Sequence, residues 1–490
     1  MHRLRINLPA SAPVCVPASP GDAVHHTFSP RCLTTCNRHL LSAYLRSACL
    51  PVLLSQRSWR EPIVKRTEIM TRTLHGTGLH GTARHGTARH GTGLRRRLLA
   101  GVACASLAVA FFGATPASAG QGSGHGDGDG EGTGAPVTLA EGLLGPLSLE
   151  VGRHNTVYVS QNFAGELTRV ARDGTTATIA SAPGDEISAV TARKGTVYYA
   201  RVAQDHSAAT LRSIAPDGTD AQLADIWAYE NSANPDQDNS YGFVDLDPAC
   251  AAQFDPAQPP FIPAAYTGVV DTHPYASLAL WNGVYVADAG GNAILHVDWD
   301  GTVSTTAVLP PSDPITIDAA MIADIGFPAC AAGHDYRFEP VPTDVELGPD
   351  GWLYVTSLPG GPEDASLGAR GSVYRVDPDS GDVELVATGF VGATGLAVSQ
   401  DDGTIYVAEL FGGPDGTGQV SVLDSGSDTP SALVAVSQPA AIELRHGALY
   451  LTTDAISPDA NGAPTPVGKL VRIPLTGGRA ASDSLDDTTD

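Results

Sequence analysis

From residue 147 to residue 473, short apolar runs alternate with polar loops, and one order of runs recurs six times. Each time a β-branched residue or leucine precedes a tyrosine and then a further strand-forming residue: Tyr158, Tyr198, Tyr285, Tyr354, Tyr406 and Tyr450. Upstream lies an alternating run such as Leu147-Ser148-Leu149-Glu150-Val151 or Val345-Glu346-Leu347. Downstream come a glycine-containing loop and a further strand, near 166–170, 372–376 and 469–473. Aspartate and glycine follow four of these strands, as Asp173-Gly174, Asp217-Gly218, Asp300-Gly301 and Asp379-Ser380-Gly381. Period-two alternation punctuated by such turns predicts β-hairpins rather than helices. Tyrosine and β-branched residues also suit a pleated, half-buried surface.

Four strands per unit at a period near 40 residues is the pattern of a β-propeller blade. The tyrosine spacings are 40, 87, 69, 52 and 44. Two gaps therefore hold insertions, placed at 226–270 and 312–340. The last repeat has strands near 441–444, 448–452 and 469–473 and then runs out at Gly477-Gly478. Its missing fourth strand is expected from residues 137–143, which resemble the fourth strand of another repeat at 384–390. The expected fold is all-β: a six-bladed β-propeller of four-stranded antiparallel blades, spanning 136–477, with its ring closed by an N-terminal strand that covers both open edges. Both insertions leave a fourth strand and enter the next first strand, so they should emerge together on one face as a two-part cap over the channel.

Before this region the character of the chain changes. Residues 1–119 hold 15 Lys and Arg against 3 Asp and Glu, while the remainder holds 14 against 50. Arg95-Arg96-Arg97, an apolar run at 98–112 and Ala117-Ser118-Ala119 read as an export signal over 70–119 cleaved after Ala119. The run is too short to span a bilayer, so no stable membrane span is expected after cleavage. Met70 is the expected start, and 1–69 is read as a non-native extension. His75, His80, His85 and His90 fall in the removed segment. Glycine alternating with polar residues at 120–135, including Asp127, Asp129 and Glu131, reads as a linker, and 478–490 as an acidic tail. The acidic body argues against nucleic acid as a partner, because it repels phosphate.

Only Cys250 and Cys330 of the seven cysteines fall after the signal, one in each insertion and both in a Pro-Ala-Cys-Ala-Ala pentad. An isolated pair in an exported chain reads as a disulfide, with two buried thiols as the alternative. Polar residues that end second strands or start first strands should point toward the capped face. These are Glu186, Asp271, His273, Asp288, Thr343, Asp344, Glu409 and Asp454. Converging carboxylates suit Ca²⁺, for which Asp288, Glu409 and Asn162 are the candidate ligands. His273 and Asp288 are the candidates for acid–base chemistry, and Glu186, Asp271, His273, Asp344 and Asp454 for ligand binding. Asn234–Asp238 reads as a turn in preference to a calcium loop. The mature chain lacks a G-x-S-x-G elbow, an H-E-x-x-H pair and a Walker loop.

Several stretches resemble the ScyD/ScyE family of exported propellers, named for members encoded with scytonemin pigment biosynthesis. They are Tyr229-Glu230-Asn231 with Asn234-Pro235-Asp236, His273-Pro274-Tyr275, Val286-Ala287-Asp288-Ala289-Gly290-Gly291-Asn292, Val341-Pro342-Thr343 and Leu347-Gly348-Pro349-Asp350-Gly351. His273 stands where the family's Asn-Pro-Tyr pattern has asparagine. The chain is similar more broadly to NHL-repeat, gluconolactonase-like and strictosidine-synthase-like six-bladed propellers. The resemblance implies fold and export but no reaction. Three functions stay open: a binding or scaffold module that holds a small molecule, glycan or protein on the capped face; a Ca²⁺-dependent lactonase or hydrolase acting in the channel; and an accessory role in secondary-metabolite biosynthesis.

Overall fold

The computed structural model describes residues 132–255, 262–459 and 462–476. The expected extension, export signal, acidic tail and the linker as far as residue 131 lie outside the described residues.

Each of the six tyrosines stands on the second strand of an antiparallel sheet; five of these sheets are built from four consecutive strands, and the sixth joins N-terminal strands to three C-terminal ones. The first sheet comprises Leu149–Val151, Val157–Gln161, Glu166–Val170 and Thr176–Ser181. The second comprises Asp185–Arg193, Thr196–Ala203, Ala209–Ile214 and Asp220–Asp225. The third comprises Pro274–Ala279, Gly283–Asp288, Ala293–Asp298 and Val303–Val308. The fourth starts at Pro342–Leu347, the fifth at Ala393–Val398 and the sixth at Ile442–Arg445.

Apolar clusters fill the space between neighbouring sheets in cyclic order. Leu167 meets Ile187 and Tyr199 between sheets one and two, and Leu211 meets Val284 and Val286 between two and three. Ile294 meets Val345 between three and four, and Val373 meets Leu396 and Val407 between four and five. Tyr406 meets Leu449 between five and six, and Tyr450 with Leu470 meets Val157 and Val159 of the first sheet. The stack thus returns to its start, as a β-propeller does. This explains the burial pattern. Inner strands such as Gly283–Asp288 and Ala448–Thr453 are buried along their whole length, because a sheet lies against each face. Outer strands such as Thr176–Ser181 and Ser431–Ala435 are largely exposed.

Val137–Leu143 pairs antiparallel with Gly468–Thr476 and supplies the outer strand of the last sheet, where the sequence placed it. Gly132–Thr133 pairs further along the same strand, so paired structure begins four residues before the boundary expected at 136.

The first strands are stitched together across the ring. Ser188 Oγ donates to the Pro274 carbonyl at 2.6 Å, Thr343 Oγ1 to the Ala393 carbonyl at 3.0 Å, and the Leu396 amide to Asp344 Oδ2 at 2.9 Å. First strands contribute Ser148, Ser277, Asp344, Thr394 and Glu443 to the lining of one narrow central cavity.

The two insertions form a sheet of their own, ordered Ala265–Thr267, Ser240–Phe243, Asp335–Arg337 and Ile315–Thr316. Two of these strands come from each insertion, and the Cys250–Cys330 disulfide joins the two segments. Phe243, Ile317, Ile322, Phe327, Tyr336 and Phe338 give this sheet its own core. Among the described residues no helix is long and apolar enough to cross a membrane.

Candidate functional site

A loop precedes the third sheet and a turn follows its second strand, and the two are tied together by one carboxylate. Asp288, wholly buried at the end of Gly283–Asp288, accepts from Thr272 Oγ1 and from the His273 amide, both at 2.6 Å. The Gly290 and Gly291 amides reach the same Oδ1 at 3.2 and 3.3 Å. The turn must contain glycine at 290, because a Cβ there would fall 2.8 Å from the Thr272 and His273 amide nitrogens. Burial raises the Asp288 pKa, and the Thr272 hydroxyl and His273 amide work against that rise.

Held this way, Asp271 and His273 face two partners from the second sheet. His273 Nε2 lies 3.0 Å from Glu186 Oε2, and His206 Nδ1 lies 2.9 Å from Asp271 Oδ1. The two imidazoles stack with centroids 4.7 Å apart and planes inclined by 22°. All four side chains are buried. Burial alone would lower the His206 pKa, but Asp271, with Glu186 and Asp288 behind it, lifts it to about 9. The Glu186 contact engages only Nε2 of the His273 ring. The ring's Nδ1 is buried and has no hydrogen-bond partner among the described residues.

The insertions supply the opposite wall. Asp225 caps the helix Ile226–Ala233 by accepting from the Ala228 amide, and this helix carries Glu230. Asp236 follows in the turn that the sequence reading preferred to a calcium loop, and its Oδ2 accepts from Tyr241 and Asn292, each at 2.9 Å. The other oxygen, Oδ1, is buried without a partner beside Gly268, where a Cβ would come within 2.0 Å of it. Glu339 accepts from Tyr266 at 2.9 Å. His206, Asp236, Asp271, His273, Asn292 and Glu339 line a narrow, partly open cavity, with Val269, Ala289, Gly290 and Val341 as its apolar part.

This cavity is crowded with acid. Glu230 is inaccessible to solvent, and burial followed by repulsion from Asp288 and Asp236 raises its pKa to about 9, with the Asp271 amide offsetting part of the rise. Burial, countered by the Tyr266 hydroxyl and reinforced by Asp236 and Asp271, holds Glu339 at about 7. Asp236 is raised by burial as well, against its bonds to Asn292 and Tyr241.

Of the residues singled out from sequence, Glu186, Asp271, His273 and Asp288 come together here. Thr343 and Asp344 lie in the central cavity and serve as the interstrand stitches described above. Burial raises Asp344 to about 7, against the Leu396 and Val345 amides. Glu409 belongs to the fifth sheet, where Ser421 Oγ, Gln419 Nε2 and the Val391 amide occupy its carboxylate. Asn162 accepts from Ser160 Oγ at 2.7 Å in the first sheet, and Asp454 pairs with Lys469 at 2.8 Å in the sixth. The suggested calcium ligands Asp288, Glu409 and Asn162 therefore stand in three different sheets, each bound to protein donors. Among the described residues no group of three or more His, Cys, Asp or Glu side chains is arranged to hold a metal ion.

Sequence reasoning missed His206, Glu230, Asp236, Asn292 and Glu339 as site residues. Glu230, Asp236 and Asn292 stand inside the stretches that carry the family resemblance, which is the signal that could have found them. His206 sits with φ 54° at the tip of a hairpin and leaves no such trace.

No family model and no curated protein matches this sequence. Solved structures similar to the chain include a gluconolactonase from Xanthomonas campestris, at 12% identity over 70% of this chain and 89% of that one, with a TM-score of 0.41. A PQQ-bound aldose sugar dehydrogenase from Streptomyces coelicolor is similar at 14% identity over 71% and 99%, with a TM-score of 0.40. A virginiamycin B lyase from Staphylococcus aureus with quinupristin is similar at 13% identity over 71% and 100%, with a TM-score of 0.39. Likeness at this level carries no inference about substrate or reaction.

Proposed function

We propose that this chain is an exported, six-bladed β-propeller of the ScyD/ScyE kind that binds a small polar molecule in the cavity beneath its disulfide-joined insertions. One observation carries the reading: two buried polar atoms of residues that line the cavity, His273 Nδ1 and Asp236 Oδ1, have no partner among the described residues. An unpaired buried polar atom costs about 1–3 kcal/mol, so a fold that keeps two of them beside a cavity is suited to a ligand that supplies the missing partners. Binding sites of this kind combine a concave, partly apolar wall with a few placed polar groups. Export and family membership rest on the sequence features given above.

The test is a thermal-shift screen of small amines, sugars, carboxylates and lactones against the mature chain. A ligand at about 100 times its Kd stabilises by about 2.7 kcal/mol. At least one class is expected to raise the melting temperature, and Val269→Trp, which adds bulk to the cavity wall, is expected to abolish the shift. No shift from any class, or a shift that survives Val269→Trp, would overturn the reading.

A further inference from the structure

The cavity's charges are one-sided. Its lining has no lysine or arginine, and its only basic groups are the two histidines, each already facing a carboxylate. Among the described residues Asp236 has no basic partner, and its Oδ1, without a hydrogen-bond partner, belongs to a residue only 2% exposed. His273 Nδ1, in a residue 3% exposed, is a second buried polar atom without a partner among the described residues. Repulsion between carboxylates, added to burial, keeps Glu339 at about 7, which a neighbouring positive charge would relieve. A ligand that satisfies this wall must bring N–H or O–H donors, and positive charge gains further from the surplus acid.

We propose that the cavity recognises a small organic molecule bearing an ammonium group, whose N–H donors bond the Asp236 carboxylate. This rests on the cavity-binding reading above and names its ligand class. An inorganic cation is less well served. It needs several oxygens converging on one point, and the Asp288 Oδ1 that could contribute is occupied by three amides. An ammonium needs only acceptors at hydrogen-bond distance, and charge-assisted bonds of that kind are roughly twice as strong as neutral ones. The excess of Asp and Glu after residue 119, 50 against 14 Lys and Arg, would also draw cations toward the protein and make association fall with salt.

Isothermal titration with 1,4-diaminobutane and with 1,4-butanediol, equal in length and differing in charge, tests this. The diamine is expected to bind at least tenfold more tightly than the diol, and more weakly as salt rises. Asp236→Asn should weaken the diamine at least tenfold, with Glu339→Gln as a second variant should the first fail to fold. Asp454→Asn, outside the cavity, should leave it unchanged. Equal binding of diamine and diol, or no binding of either while another class gives a shift sensitive to Val269→Trp, would overturn the ammonium preference and leave the cavity reading standing. Calcium chloride that competes with the diamine and is itself lost on Val269→Trp would assign the cavity to an inorganic cation. Failure of every ligand, the diamine included, to respond to Val269→Trp would overturn both.

Discussion

Glu230→Gln should flatten the pH dependence of stability in the neutral range. The side chain is inaccessible to solvent and its pKa rises from 4.5 to about 9 on folding, through burial first and then the charges of Asp288 and Asp236. The folded chain therefore holds a proton that the unfolded chain has released at every pH between these values. Stability from this group is complete below the unfolded value and falls as pH rises toward the folded one. One proton corresponds to about 1.4 kcal/mol per pH unit, so wild type should lose about 2.7 kcal/mol more than the variant between pH 6 and pH 8. With an unfolding entropy of about 2.1 cal/mol/K per residue, a body of this size shifts by about 1.5 °C per kcal/mol, so the gap is about 4 °C. Calorimetric melting temperatures at pH 6, 7 and 8 for both proteins provide the measurement. The other raised carboxylates are present in both and cancel. Parallel pH profiles would refute the reasoning, since they would mean that Glu230 ionises as readily in the fold as outside it.

Asp288→Ala removes the acceptor of one hydroxyl and three amides, and a loss of about 3–5 kcal/mol is expected, read as a lower denaturant midpoint; a loss below about 1 kcal/mol would show that these donors find water instead. Replacing Cys250 and Cys330 by serine removes a link across 80 residues of sequence and should cost about 4 kcal/mol, with the inserted sheet losing amide-exchange protection before the ring does. Simultaneous exchange of both regions would contradict the separate core assigned to the inserted sheet. Deleting residues 132–143 strips the outer strand from Gly468–Thr476 and should produce larger species on size exclusion through the freed edge; a stable monomer with an unchanged melting temperature would refute ring closure by that strand.

The tyrosine-centred repeat was legible because its cause is local. A strand between two sheets must be apolar on both faces, and the turns between strands favour Asp-Gly, so six copies of one pattern appear at six places along the chain. The same logic exposed the missing strand of the last repeat and its stand-in at 137–143, since a fourth strand keeps its residue pattern wherever it lies in sequence. The cysteines were legible because both insertions leave the ring on one face. The site was legible only in part. Glu186, Asp271, His273 and Asp288 end or begin inner strands, where sequence position fixes which face a side chain approaches. Glu409 and Asp454 satisfy the same rule and are nonetheless occupied by Ser421, Gln419 and Lys469.

Sequence by itself determined the repeat, the order of strands, the place of the insertions and the excess of acid. Tertiary structure decided which acids meet. His206 and Asp271 are 65 residues apart and Glu186 and His273 are 87 apart, and no local pattern links either pair. The physical reason is range: alternation and turn chemistry act between near neighbours, whereas a hydrogen-bonded pair, a stacked pair of imidazoles or a carboxylate raised by burial depends on what the closed ring and its inserted sheet bring within a few ångströms.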